Sequence, residues 1–87
     1  MRIGVCGTME SNDCLVTVQE NNTSKCEIEI KSIVDDFFHD EILKCVKEVL
    51  KEMNVLGVDI LVNDKGALDF TIKARVRTAI ERMKENA

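Results

Sequence analysis

The run "VDILV" at residues 58–62 is almost wholly apolar and β-branched, as an interior strand of a sheet would be, and the other segments must fit around it. Two further stretches carry a period of two. "CLVTVQ" at 14–19 sets Cys14, Val16 and Val18 on one face and Leu15 and Thr17 on the other. "CEIEIK" at 26–31 sends Cys26, Ile28 and Ile30 inward and Glu27, Glu29 and Lys31 to water. Between them "ENNTSK" is a polar loop of hairpin type, so the sequence predicts that these two strands pair with each other.

After Lys31 the period changes to that of a helix. Val34, Phe38, Ile42, Cys45, Val49 and Met53 follow the i, i+3, i+4 rule, and Phe37, Val46 and Leu50 widen the stripe enough to lie across a sheet. Ser32 with Asp35 three positions later has the form of a capping box, so a helix is predicted from Ser32, with Asp35 and Asp36 near its positive end. Asn54 to Gly57 stop it, and Lys44, Lys47 and Lys51 crowd its negative end.

Beyond the apolar run, "NDKG" at 63–66 reads as a tight turn with Gly66 at positive φ, and "ALD" at 67–69 as another short strand or extended segment. Asp69 then caps a second helix, with Ile72, Val76, Ala79, Ile80 and Met83 inward and Lys73, Arg75, Arg77, Arg82 and Lys84 outward. The predicted order is β-β-α-β-(β)-α. This is an α+β fold: a small mixed or antiparallel sheet, two helices on one face, and a parallel crossover through the first helix. The other face of the sheet, with Glu27 and Glu29, is left solvated or docked.

Composition bounds what such a chain does. Its 87 residues, 45% of them apolar, suit one domain spanning 1–87 with a single modest core. It has no proline, no internal repeat and no linker. No apolar run approaches the roughly 18 residues of a membrane span, and the N-terminus lacks a secretory pattern, so a cytoplasmic protein is expected. Cys6, Cys14, Cys26 and Cys45 form no C-x-x-C pair and read as free thiols packed as small hydrophobes. Residues 1–69 carry a net charge of −7 and residues 70–87 one of +3. An acidic body with three phenylalanines and no Tyr or Trp argues against nucleic acid and for a protein partner or a small charged ligand.

Little in the chain suits catalysis. His39 is the only histidine, and Asp36 or Glu41 make a weak metal site with it, so it reads as a surface residue of a helix. A Ser-His-Asp triad has little to build on, and Gly4 and Gly7 lack the spacing of a phosphate loop. The stripe of Lys73, Arg77 and Lys84 is either a solvated face or a dock for an acidic partner or phosphates. That leaves Ser11 in "GTMESND". Its domain offers no general base, yet an exposed hydroxyl on a polar loop suits modification by another enzyme, with Glu10 and Asp13 helping to hold the magnesium ion of a nucleotide-derived donor. A plain polar turn entering the strand is the other reading.

"GTMES" followed by an acidic residue and a strand, together with "DKGALD" and "ARV" nearer the C-terminus, resembles the acyl carrier protein of citrate lyase, the gamma subunit of that complex. The resemblance runs over nearly the whole chain. Ser11 matches the serine of the family's G-T-L-E-S-S-D stretch that carries the prosthetic group. Met9 stands in place of the leucine, and Asn12 replaces the second serine, removing the alternative hydroxyl. The resemblance implies a phosphodiester from Ser11 to phosphoribosyl-dephospho-coenzyme A, whose terminal thiol carries the acyl group. It implies that the citrate lyase alpha subunit exchanges acetyl for citryl thioester and that the beta subunit releases oxaloacetate. A prosthetic-group transferase and an acetylating ligase are further implied partners, with no catalytic residue, metal, nucleic acid or membrane in the carrier itself. The carrier of malonate decarboxylase, which uses a related group, is the nearest alternative, and a free-standing regulatory or interaction domain is the alternative of another class.

Overall fold

The interior strand is longer than the apolar run and hydrogen-bonds on both sides. The computed structural model describes residues 1–33 and 38–86. In chain order these form strands β1 (Ile3–Gly7), β2 (Cys14–Glu20) and β3 (Glu27–Ser32), helix α1 (His39–Glu52), strand β4 (Val58–Asp64) and helix α2 (Asp69–Glu85). The strands make one sheet in the order β1-β2-β4-β3. β4 pairs antiparallel with β2, Val62 opposite Val16, and parallel with β3, Ile60 opposite Ile28.

The predicted hairpin between 14–19 and 26–31 is therefore not made, because β4 lies between them. The strand whose Val58, Ile60 and Val62 are all buried takes the centre, while the strand bearing Glu27, Glu29 and Lys31 takes an edge, where charge is tolerated. The loop after β2 crosses the start of β4 instead of turning back. Asn21 organises it: its backbone N–H donates to the Gly57 carbonyl at 2.8 Å and its side chain to Asp59 at 2.9 Å and to the Lys25 carbonyl at 3.1 Å. The β3-α1-β4 connection is the expected parallel crossover.

The hairpin the chain does form is β1 with β2, Cys6 opposite Val16, joined by residues 8–13. β1 went unmarked in the sequence. Conversely, the bracketed strand "ALD" is absent: Ala67 and Leu68 have no regular structure, and Asp69 is the first residue of α2 with Leu68 at the N-cap and no side-chain cap bond. The cap expected at Ser32 depends on Asp35, which lies outside the described residues. Ser32 ends β3 in register with Asp64, and its hydroxyl donates to Asp64 Oδ2 at 2.7 Å. The helix begins at His39, with Phe38 at its N-cap and 48% exposed. Val34, Asp35, Asp36 and Phe37 lie outside the described residues.

Both helices cover one face of the sheet, α2 against β1 and β2 and α1 against β3 and α2. The inward stripe of α2, Ile72, Val76, Ala79, Ile80 and Met83, is buried as expected, and Ile42, Cys45, Val46, Val49 and Leu50 of α1 complete the core. Among the described residues no helix is long and apolar enough to cross a membrane. α2 comes close to β1 at Gly4, where an added Cβ would collide with the backbone of Ala79 and Met83. Glycine is needed here because α2 rests on the β1 main chain itself. Gly4→Ala should destabilise the fold by about 3 kcal/mol through that overlap, measured by urea unfolding. A stability within error of wild type would show that α2 does not sit on β1 this closely.

Candidate functional site

The pairing directions gather one end of the molecule. β1, β3 and β4 run the same way and β2 runs against them, so the ends of β1, β3 and β4 and the start of β2 lie together. Both helices begin shortly after strands that end there. The β1–β2 connection, residues 8–13, occupies this end, and Ser11 is exposed at its tip.

The connection is a built turn. The Asp13 N–H donates to the Glu10 carbonyl at 3.2 Å, placing Ser11 and Asn12 at the two central positions. Asn12 has φ of 66°, as the third residue of a type II turn requires, and asparagine tolerates that region well. The Asn12 N–H donates to the Lys65 carbonyl at 2.8 Å and the Lys65 N–H to the Asp13 carbonyl at 2.9 Å, so the turn extends the β2–β4 ladder. At the other end of the loop, Gly7 has φ of 104° with its α-carbon against the Cys14 carbonyl, leaving no room for a side chain. The Ser11 hydroxyl makes no hydrogen bond to any described residue.

Asp13 is the fastener. Its carboxylate accepts from Arg75 Nε at 2.9 Å, Arg75 Nη2 at 3.1 Å, the Thr8 hydroxyl at 2.7 Å and the Cys14 N–H at 2.7 Å. The Thr8 hydroxyl in turn accepts from the Glu10 N–H at 3.2 Å. The fork of Arg75 matches the two carboxylate oxygens, the strong form of such a pair. Bonding to Arg75, then to Thr8, lowers the Asp13 carboxyl from 3.8 to about 2. Asp13 is thus a stable anion occupied by this chain, neither a base for Ser11 nor a ligand held ready for magnesium, and the expectation that it helps hold that ion is overturned. No group of three or more metal-ligating side chains occurs among the described residues. His39 is exposed at the start of α1, its Nδ1 4.0 Å from Asp40. Ser11 is therefore presented but not activated.

Arg75 was read as part of an outward basic stripe, and helical periodicity gives no sign of its partner 62 residues away. Three other outward basic residues of α2 are also engaged, while Lys84 is exposed. Lys73 lies 2.6 Å from Glu48 and Arg77 2.7 Å from Glu52, both on α1, and Arg82 donates to the Val5 carbonyl at the outer edge of β1 at 2.8 Å. Lys73 and Arg77 join the two helices, so they do not form an open dock. Thr8 and Arg75 are the residues the sequence did not single out; Asn12 carried a legible signal, an asparagine in a polar turn. Three of the four thiols are no candidates for acyl transfer: Cys6, Cys14 and Cys45 are buried, and burial pushes Cys14 up to about 12 and Cys45 to about 11.

Comparisons with known proteins agree over nearly the whole chain. The family model described as "Malonate decarboxylase delta subunit (MdcD)", of the ACP type, matches residues 2–83. A citrate lyase acyl carrier protein of Treponema denticola is 49% identical over 97% of this chain and 94% of its own. Proteins of the same name from Halothermothrix orenii and Clostridium perfringens are each 43% identical, covering 99% and 91% of this chain and 90% and 78% of theirs. Among solved structures, the RNase P protein from Thermotoga maritima in complex with 1-(4-fluorophenyl)-2-thiourea superposes with a TM-score of 0.53 at 11% identity, covering 95% of this chain and 87% of that one. At that identity it shows a likeness of fold alone.

Folding lowers the Asp13 carboxyl, so its contribution is complete above pH 3.8 and is lost as pH falls through about 2. Asp13→Asn should lose about 1 kcal/mol at pH 7, discounted for the partial exposure of Arg75, and its melting temperature should converge on that of wild type in acid. Glu20, lowered to about 2 by its bonds to Arg2, titrates in the same range, so both proteins are compared in a Glu20→Gln background. A difference unchanged down to pH 2 would mean that the ion pair is not made.

Proposed function

Because this chain belongs to the citrate lyase acyl carrier protein family, we propose that residues 1–87 act as one carrier domain whose attachment point is Ser11. As in the family, the chain is a carrier subunit and not a catalyst. The observation that carries the Ser11 assignment is its turn: an exposed hydroxyl without an internal partner, on a backbone fixed to β4 through Lys65 and to α2 through Asp13 and Arg75.

The residues present fit a covalently attached phosphodiester group. Ser11 supplies the oxygen, lies at the tip of a hairpin where a bulky substituent meets no core, and has nothing in its own loop to hold such a group down. The group proposed is phosphoribosyl-dephospho-coenzyme A, which when bound supplies a terminal thiol able to hold an acyl group as a thioester. The buried thiols of Cys6, Cys14 and Cys45 are in no position to do this themselves. A rigid base under a long arm raises the effective concentration of the tethered acyl group at each active site it visits. The sites proposed are those of the alpha and beta subunits of a cytoplasmic citrate lyase complex, after a prosthetic-group transferase has modified Ser11 and an acetylating ligase has charged the thiol. The name of the matching family model favours a second reading, a carrier for malonate decarboxylase, which keeps Ser11 and changes the partners.

The test is the intact mass of the chain from cells making the complex, followed by fragmentation. An adduct on Ser11, absent from Ser11→Ala together with citrate cleavage, is the expected result. Ser24, the exposed serine of the β2–β3 loop at the other end of the sheet, is the control, and Ser24→Ala should keep both adduct and activity. An unmodified chain in an active complex would overturn the carrier reading in favour of a regulatory module.

A further inference from the structure

The same end of the molecule carries exposed apolar surface. Between the start of α1 and the segment leading into α2 lies a groove of about 540 Å³ whose lining includes Phe38, Ile42, Leu68 and Phe70. Leu68 is 63% and Phe70 71% exposed. Exposed apolar side chains scattered singly need no explanation, but a cluster beside a site marks a contact surface. Leu68 adds a second sign. It occupies the N-cap of α2 with φ of −77° and ψ of 160°, a position at which Ser, Asn or Asp would improve stability by about 1 kcal/mol. A large apolar residue held there against local preference points to a role outside the fold.

Charge selects the occupant. Among the described residues every ionisable side chain lining the groove is a carboxylate: Glu41 and Asp69, both exposed, and buried Asp64, already bonded to the Ser32 hydroxyl and the Ala67 N–H. An arm bearing phosphates is repelled by such a lining, whereas a protein surface that offers an apolar side chain framed by Lys or Arg is complementary to it. The groove is also adjacent to the attachment turn. Asn12 bonds to Lys65, and from there to Leu68 the chain spans at most about 10 Å. We infer that this groove is where a catalytic subunit of the complex grips the carrier while reaching the group on Ser11, through an apolar side chain ringed by basic residues. This deepens the carrier reading and rests on it.

The experiment measures binding of the full-length chain, modified on Ser11, to the purified catalytic subunits by calorimetry. Leu68→Ser combined with Phe70→Gln should weaken binding about tenfold in low and high salt alike while leaving the melting temperature unchanged or raised. Glu41→Gln should weaken it in low salt and lose its effect near 1 M salt, where charges are screened within about 3 Å. Binding equal to wild type in the double variant overturns the inference. So does a dimer of the chain alone that the double variant dissolves, since a second copy would then fill the groove. Protection of the Leu68 and Phe70 amides on modification of the isolated chain would assign the groove to the arm, and also overturns it. The Ser11 mass is read on the same samples: no adduct at all means the carrier reading has failed, whereas an adduct with unaltered binding means only the groove has.

Discussion

Strand β4 is bonded along both edges, antiparallel to β2 and parallel to β3, and the rest of the molecule is arranged by that double pairing. Its Val58, Ile60 and Val62 are buried in the core, each contributing about 1.5–3 kcal/mol relative to exposure. With β4 central, the β3-to-β4 connection must cross over, and α1 supplies the crossover. β1 then adds to the free edge of β2, and α2 returns across β1 and β2 so closely that Gly4 must lack a side chain. The outer edge of β1 is protected in turn, as Arg82 and Asn86 of the last turn and its cap donate to the Val5 and Ile3 carbonyls.

The same pairing determines where chemistry can happen. Three strand ends and both helix starts converge, and the loop placed among them carries Ser11. A carrier needs an attachment point whose position is known to its partners and a substrate whose position is free. Under the proposed function the two requirements are divided between a turn fixed by Asp13, Thr8, Arg75 and Lys65 and the arm proposed on Ser11. Nothing among the described residues activates the Ser11 hydroxyl. That accords with a serine modified by a separate enzyme.

Much of this was legible in the sequence because it is local. The alternation in 14–19 and 26–31 gave the faces of β2 and β3, the i, i+3, i+4 stripe gave the inward face of α2, and "NDKG" gave a turn with Gly66 at a φ of 90°. What failed was non-local. Strand order is decided by which strands can be paired along both edges, so the polar loop 20–25 looked like a hairpin turn when it passes over the start of β4. "IGVCG" did not read as a strand because its glycines answer to α2 and to the Cys14 carbonyl, neither visible from neighbouring residues. Arg75 looked solvent-facing for the same reason. Ser11 stood out in the sequence as a hydroxyl on a polar loop, with a polar turn as the other reading, and resemblance to a family gave it the role proposed; the fastening of that turn by Arg75 and Lys65 was not legible.

The central claim is that Ser11 stands on a fixed turn and not on a loose loop. Hydrogen exchange of the Asn12 and Lys65 amides tests it most directly, because these two N–H groups make the bonds that join the turn to β4. In the wild-type chain both amides should be protected, and in Arg75→Ala the protection should fall at these two positions while the Val16 and Val62 amides of the core keep theirs. Free exchange at Asn12 and Lys65 in the wild-type chain would contradict the account.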